Sequence, residues 1–153
     1  VESSSIGLVS FDSITGDTDD TVDFEISNIN YINCYLEESR NLIEFGNLES
    51  QQPIQITLSD IKFNNITAEK QSNLLAFQQQ LLYPIVVQNS QFEELGNSVI
   101  YIESANKQNE DSKTKVTFTN TTFNSIDSYF GSLILLNEGG DLKIEDSTFN
   151  NIS

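Results

Sequence analysis

The sequence has no histidine, methionine or tryptophan, and it has a single cysteine and two prolines in 153 residues. Without histidine, Ser-His catalysis, Cys-His catalysis and histidine metal sites are excluded. One cysteine forms neither an internal disulfide nor a thiolate zinc cluster. The only arginine is Arg40, so bidentate guanidinium clamps on a carboxylate or phosphate are nearly excluded. These absences argue against most classes of enzyme.

Positive charge is also scarce, with seven basic residues against 23 acidic ones and a net charge of −16. This balance argues against nucleic acid and anionic membranes as partners, because both polyanions require lysine and arginine. No apolar run reaches the ~18 residues of a membrane span, so we expect no membrane insertion by this segment. What the chain does contain is 10 phenylalanines and five tyrosines. Together with many Ile, Thr and Asn residues, they favour strands and turns.

An internal repeat runs along the chain. Residues 116–126 and 142–152 share a template with apolar residues at offsets 0 and 2, Asn or Asp at 4, an aromatic at 7 and an aliphatic at 10. Copies beginning at Phe24, Ile56 and Ile85 fit it, with Cys34 in the last slot of the first of these. A degenerate first copy consists of Ile6, Leu8, Phe11 and Ile14.

A second motif lies between the copies and has two apolar residues, a spacer and another apolar residue. It occupies residues 42–45, 74–77, 99–102 and 133–136. After Ile14 this motif is missing, and the acidic stretch at residues 16–20 takes its place.

The repeats predict an all-β fold, a right-handed single-stranded parallel β-helix of five to six coils. One repeat cannot bury its own apolar face, whereas stacked repeats bury it against each other. We expect residues 1–153 to form one β-helix segment of a longer polypeptide. A β-sandwich is the alternative, but it does not explain the fixed offsets.

Each offset of the template has an expected role. Offsets 7 and 10 should point inward and stack along the axis, and offset 4 should form a bend at which Asn or Asp bonds the backbone or a stacked amide. The predicted stacking columns are Tyr31, Phe63, Phe92, Phe123 and Phe149, and Cys34, Ile66, Leu95, Ile126 and Ile152. The predicted turn ladder is Asn28, Asp60, Asn89, Asn120 and Asp146.

The repeat resembles the right-handed parallel β-helix superfamily of pectin-lyase-like proteins, and more narrowly the noncatalytic repeats of polymorphic outer-membrane proteins. Those repeats combine a Gly-Gly-Ala-Ile type motif with a Phe-x-x-Asn type motif. Residues 96–102 and 131–136 are similar to the first; Phe63-Asn-Asn-Ile66, Phe123-Asn-Ser-Ile126 and Phe149-Asn-Asn-Ile152 are similar to the second, with Ile replacing the final Asn. The Asn-, Gln- and Ile-rich sequence also resembles very long surface proteins of ciliate protozoa.

The resemblance implies a fold more than a chemistry, because one fold hosts many functions. Pectin-lyase-like enzymes cleave acidic polysaccharides with a basic residue near bound Ca²⁺, or with clustered Asp carboxylates and a nearby His. This chain offers only Arg40 and scattered lysines, and its charge would repel a polyuronate. We therefore expect no enzyme activity.

Three features remain as candidate sites. Asp17, Asp19, Asp20 and Asp23 form either a Ca²⁺ loop, since Ca²⁺ binds six to eight hard oxygens, or a solvated acidic loop. Cys34 is expected to be a small buried hydrophobe, with an intermolecular disulfide as the alternative.

The third feature is a set of three N-glycosylation sequons, at Asn65, Asn120 and Asn151. Asn65 and Asn151 share offset 9 and should face outward. Asn120 lies in the bend slot, where it is a structural residue if it points inward and an acceptor if it points outward.

Two functions fit these observations. The first is a noncatalytic structural segment of a secreted or cell-surface glycoprotein, which stacks end to end as a rod, coat or filament. Its partners would be further coils of the same chain or a neighbouring molecule. The second is an adhesin-like module that binds glycans or a surface through its flat faces.

Overall fold

The computed structural model describes residues 9–11, 22–36, 41–45, 54–77, 84–103, 115–127, 133–137 and 140–153. These residues form thirteen β-strands and no helix, and every strand pair is parallel. The chain is therefore a parallel β-helix, as the repeat predicts.

The coils have three faces, each with five stacked rungs. The first face consists of β2 (Val22–Ser27), β5 (Ile54–Ser59), β7 (Ile85–Gln88), β9 (Lys115–Thr119) and β12 (Asp141–Glu145). The second consists of β3 (Asn30–Leu36), β10 (Thr122–Asp127), β13 (Thr148–Ile152) and the first parts of two long strands. These are residues 62–68 of β6 (Lys62–Phe77) and residues 91–96 of β8 (Gln91–Glu103). The third consists of β1 (Val9–Phe11), β4 (Asn41–Phe45), the later parts of β6 and β8, and β11 (Ile134–Asn137).

The register places equivalent offsets directly over each other. Phe63 pairs with Phe92 and Phe92 with Phe123, and the ring centroids of these pairs are 5.5 and 5.1 Å apart. All three rings are fully buried. On the third face, the rings of Phe45 and Phe77 stack at 5.0 Å. Like residues therefore fill the core in columns, because each coil repeats the inward positions of the one below.

The two outer coils depart from the predicted buried columns. Tyr31 stacks on Phe63 at 5.3 Å and Phe149 stacks on Phe123 at 4.6 Å. Yet Tyr31 is only half-buried, and Phe149 is 43% exposed. Ile152 is likewise 39% exposed. The prediction of full burial is wrong for these residues because each has a described coil on one side only.

The interpretation of Phe11 as the aromatic residue of a degenerate first copy of the template is also wrong. Strand β1 pairs with β4, and Phe11 lies opposite Phe45 rather than Tyr31. Strand β1 thus supplies a third-face rung before β4, where the sequence shows no copy of the second motif. The β1 sequence is an apolar residue, a polar residue and a phenylalanine, which fits the pattern of either the second or the third face. The alternation alone could therefore not assign β1 to one of these faces. Ile6, Leu8, Ile14 and the acidic stretch lie outside the described residues.

Residues in the left-handed region form two bends of each coil: a first corner between the first and second faces, and a second corner within the second-face strands. At offset 4 these are Asn28, Asp60, Asn89, Asn120 and Asp146, with φ between 48° and 59°. At offset 9 they are Asn33, Asn65, Glu94, Ser125 and Asn151, with φ between 50° and 56°. A positive φ costs most residues energy because Cβ approaches the carbonyl oxygen, and Asn and Asp tolerate it best after Gly. This is the physical reason for the Asn and Asp ladder.

Replacing Asn89 tests this conformational role. Asn89→Val is expected to be about 1–2 kcal/mol less stable than Asn89→Gly, since valine resists φ of 52° and glycine accepts it. Both variants lose the same amide, so their difference isolates the backbone effect. Urea unfolding followed by far-UV circular dichroism measures it, and equal stability of the two variants would contradict the assignment.

Candidate functional site

The outward amides form short ladders along the coil axis. Asn65 Nδ2 donates to Asn33 Oδ1 at 2.7 Å, and Asn120 Nδ2 donates to Asn89 Oδ1 at 2.8 Å. Both bonds are exposed, so the bend slot at offset 4 points its side chain outward. A third amide bond, from Asn73 Nδ2 to Asn41 Oδ1 at 2.7 Å, lies on the third face and is partly buried. Such ladders link adjacent coils through their side chains.

All three sequon asparagines are therefore exposed at corners. Asn65 and Asn151 occupy the second left-handed corner, as Asn120 occupies the first. The outward orientation of Asn120 selects the second of the two expectations for that residue, in which it too is a candidate acceptor. At offset 9 the sequence pattern predicted an outward side chain but not a bend. Glu94 and Ser125 share this offset with the asparagines, so the offset shows no consistent preference for residues that favour a positive φ.

A column of hydroxyl groups lines the inside of the first corner, at offset 5. Ser90 Oγ donates to the Gln88 carbonyl at 2.8 Å and accepts from the Ile61 N–H at 3.2 Å. In the coils above, Ser147 Oγ donates to the Glu145 carbonyl at 2.7 Å and accepts from the Thr121 N–H at 3.1 Å. Each hydroxyl satisfies a corner amide that the sheet ladder cannot reach. The column is structural, and the repeat template does not predict it, because Ile29 and Ile61 hold the same offset in the first two of these coils.

The surface of β12 and β13 that faces along the axis is the open coil edge. Four side chains at inward offsets are exposed there, and their equivalents one coil below are 0–1% exposed. They are Leu142 (42%), Ile144 (41%), Phe149 (43%) and Ile152 (39%). No described strand pairs with the outer edges of β12 and β13. An apolar surface bounded by unpaired strand edges is a template for another strand.

The opposite coil edge is formed by β2 and β3. Its inward residues Phe24, Ile26, Tyr31 and Cys34 are half-buried and pack against the core. Burial raises the pKa of the Tyr31 phenol above its ordinary value, and the electrostatic interaction with Cys34 raises it further. Cys34 lies opposite Ile66 in the aliphatic column, and its Sγ is 3.7 Å from the Ile32 carbonyl oxygen.

The acidic candidate site lies mostly outside the described residues, since these include Asp23 but not Asp17, Asp19 or Asp20. Asp23 is exposed on the first face. Where the structure is described, no three His, Cys, Asp or Glu side chains converge as metal ligands would. In the same ranges no helix has the length and apolar character needed to cross a membrane.

Comparison of the chain with protein-family models, with curated proteins and with solved structures finds no match.

Proposed function

We propose that this chain is a noncatalytic structural segment of a secreted or cell-surface glycoprotein, which stacks end to end into a rod, coat or extracellular filament. The observation that carries the proposal is the open coil edge. It combines an apolar surface with unpaired strand edges, and both are matched by adding another coil of the same kind.

Magnitudes indicate how strong such stacking is. Full burial of one large apolar side chain contributes about 1.5–3 kcal/mol, so four that are two-fifths exposed contribute roughly 2–5 kcal/mol together. Association costs at least ~4 kcal/mol of translational and rotational freedom. Backbone bonds between the coil edges must supply the rest. The net charge of −16 opposes contact at low salt, and salt screens that repulsion. Stacking is thus concentration-dependent, and lateral bundling is disfavoured at low salt.

Substitution at the open coil edge should reduce self-association without unfolding the chain. Ile144→Asn is expected to weaken association at least about tenfold, because a polar side chain then faces the added coil. Ile144 is already 41% exposed, so the folded coil loses little. Sedimentation equilibrium over a concentration series, at about 0.15 M salt, measures the change.

The matched control is Val86→Asn, which makes a similar change at an outward, half-exposed position in a middle coil. It should associate like the unmodified chain. A chain that stays monomeric at every concentration would overturn stacking, as would an Ile144→Asn variant that associates like the control.

Exposure of the sequon asparagines supports the glycoprotein part of the proposal. When the chain is secreted through a eukaryotic pathway, we expect N-glycans at Asn65 and Asn151, and at Asn120 since its side chain is outward. Peptide mapping before and after N-glycosidase treatment identifies the occupied sites, and Asn65→Gln should remove one glycan. An unmodified Asn65 in protein from its native source would count against a secreted origin.

One observation favours the adhesin-like alternative. Tyr35 is 63% exposed at an outward position on the second face, and sugars stack on exposed aromatic rings. Glycan-array binding that disappears in Tyr35→Ala would favour this function over the structural one. Glycan binding that survives Tyr35→Ala would show that the exposed Tyr35 ring does not support the adhesin-like function.

A further inference from the structure

The two coil edges are stepped, and the steps match. Strands β2, β3 and β4 form one coil, and β1 pairs with the outer edge of β4. The third face therefore extends one rung beyond β2 and β3 at this edge. At the other edge, β12 and β13 extend the first and second faces, while the last described strand of the third face is β11. A second copy placed head to tail continues all three faces: its β1 lies over β11, its β2 over β12 and its β3 over β13.

The backbone bonds of the first corner are complementary across the same contact. Each left-handed residue at offset 4 donates its N–H to the next coil, as Asn120 does to the Glu145 carbonyl at 3.1 Å. Each residue at offset 6 donates to the previous coil, as Thr148 does to the Thr121 carbonyl at 2.9 Å. Within the described residues, no further coil receives the Asp146 N–H. Ser27 of a second copy carries the equivalent carbonyl.

A hydrogen bond in the opposite direction can also form across this contact. The N–H of Asn30 at the β3 edge is equivalent to that of Thr148, and the Ser147 carbonyl is equivalent to that of Thr121. One edge therefore offers the acceptor and donor that the other edge needs. Only the head-to-tail orientation matches them, because parallel coils carry different groups on their two sides.

This register makes one opposite-charge pair and one like-charge pair on the outer side of the first face, because Asp141 lies over Asp23 beside the pair that Lys143 forms. Lys143 is the only cationic residue in β12 and β13, and β2 and β3 contain none. The coil register brings Lys143 to the position over Glu25, since both occupy offset 1 on the outer side of the first face. Lys143 Nζ lies 2.9 Å from Glu145 Oε2 and is 65% exposed, so it is available to a second acidic partner. A slip of one residue would turn the apolar side chains outward.

We propose that the open coil edge binds the β1–β3 edge of a second copy of this chain, head to tail, with Lys143 of one copy beside Glu25 of the next. The proposal rests on the stacking function and adds its partner, polarity and register. The inward contacts it sets are Leu142 over Phe24, Ile144 over Ile26, Phe149 over Tyr31 and Ile152 over Cys34.

A charge swap tests the register. Lys143→Glu and Glu25→Lys are each expected to weaken association about three- to tenfold, because each replaces an opposite-charge pair with a like-charge pair. The double variant restores the pair in reverse and should associate within about twofold of the unmodified chain. Far-UV circular dichroism confirms that each exposed variant remains folded.

Cross-linking gives an independent readout. In a Cys34→Ala background, Lys143→Cys with Glu25→Cys places two cysteines on adjacent rungs, whose backbones are about 4.8 Å apart, a separation that a disulfide can bridge. Oxidation should yield covalent dimers and longer multimers. The control pairs Lys143→Cys with Thr57→Cys, one rung farther from the contact, and should stay monomeric on a denaturing gel.

The outcomes separate the two proposals. If the unmodified chain does not associate at all, the stacking function fails. If it associates but neither the swap nor the cross-link behaves as expected, stacking stands and this register is overturned. If native-source protein is monomeric and hydrogen exchange shows β12 and β13 protected, a further coil of the same polypeptide covers the edge, and the second-copy assignment is wrong.

Discussion

Truncation of Phe92 to alanine is expected to lower the free energy of unfolding by about 3–5 kcal/mol. The ring is fully buried in the middle coil, with the Phe63 and Phe123 rings on either side at 5.5 and 5.1 Å. Removing it leaves a cavity between two stacked rings, and paired strands on both sides prevent the coils from closing over it. Urea unfolding followed by far-UV circular dichroism measures the loss, since the chain has no tryptophan to report it.

Phe149→Ala is the matched control for this experiment. Phe149 belongs to the same column but is 43% exposed, so its truncation creates no closed cavity and should cost less than half as much. A loss below ~1 kcal/mol for Phe92→Ala would show that the column does not carry the stability assigned to it. Equal losses for both variants would show that the open coil edge is covered in solution.

Ser90→Ala is expected to cost about 1–3 kcal/mol, the range for leaving a buried polar group without a partner. Ser90 is 1% exposed, and its Oγ accepts from the Ile61 N–H. Alanine removes that acceptor, and the tight corner leaves no replacement among the described residues. Equilibrium unfolding measures the loss, and hydrogen exchange at Ile61 shows whether its N–H has lost protection.

Ser147→Ala is the control for the hydroxyl column. Its Oγ accepts from the Thr121 N–H in the same way, but Ser147 is only half-buried at the open coil edge. Water can replace the hydroxyl there, so the expected loss is below ~1 kcal/mol. Unchanged protection of Ile61 in Ser90→Ala would indicate that the hydroxyl is not the group that satisfies this amide.

The inward columns were predictable because the template keeps one spacing while the loops vary in length. Phe63, Phe92 and Phe123 recur at offset 7 in every middle coil, and the structure stacks them. The first corner was predictable for a local reason, since Asn and Asp are the residues that tolerate a positive φ. Its outward direction was not, because a bend in the sequence does not show which way its side chain points.

The second corner shows where pattern reading fails. Asn33, Asn65 and Asn151 carry the signal, but Glu94 and Ser125 adopt the same left-handed conformation with φ of 51° and 54°. Their backbone is held by the coils on both sides, which outweighs the preference of the individual residue. Likewise, β1 joins the third face because of the strand it pairs with, whereas its own three residues would suit either face.

Residue type and spacing alone are enough to predict the solenoid and its core columns, because the template fixes which offsets point inward. Which copies of the template are buried depends instead on the stacking of the coils. Ile126 and Ile152 occupy the same offset, yet one is 1% and the other 39% exposed. Burial in a solenoid depends on the coil above as well as the residue itself. The open coil edge, and the partner proposed for it, follow from that difference.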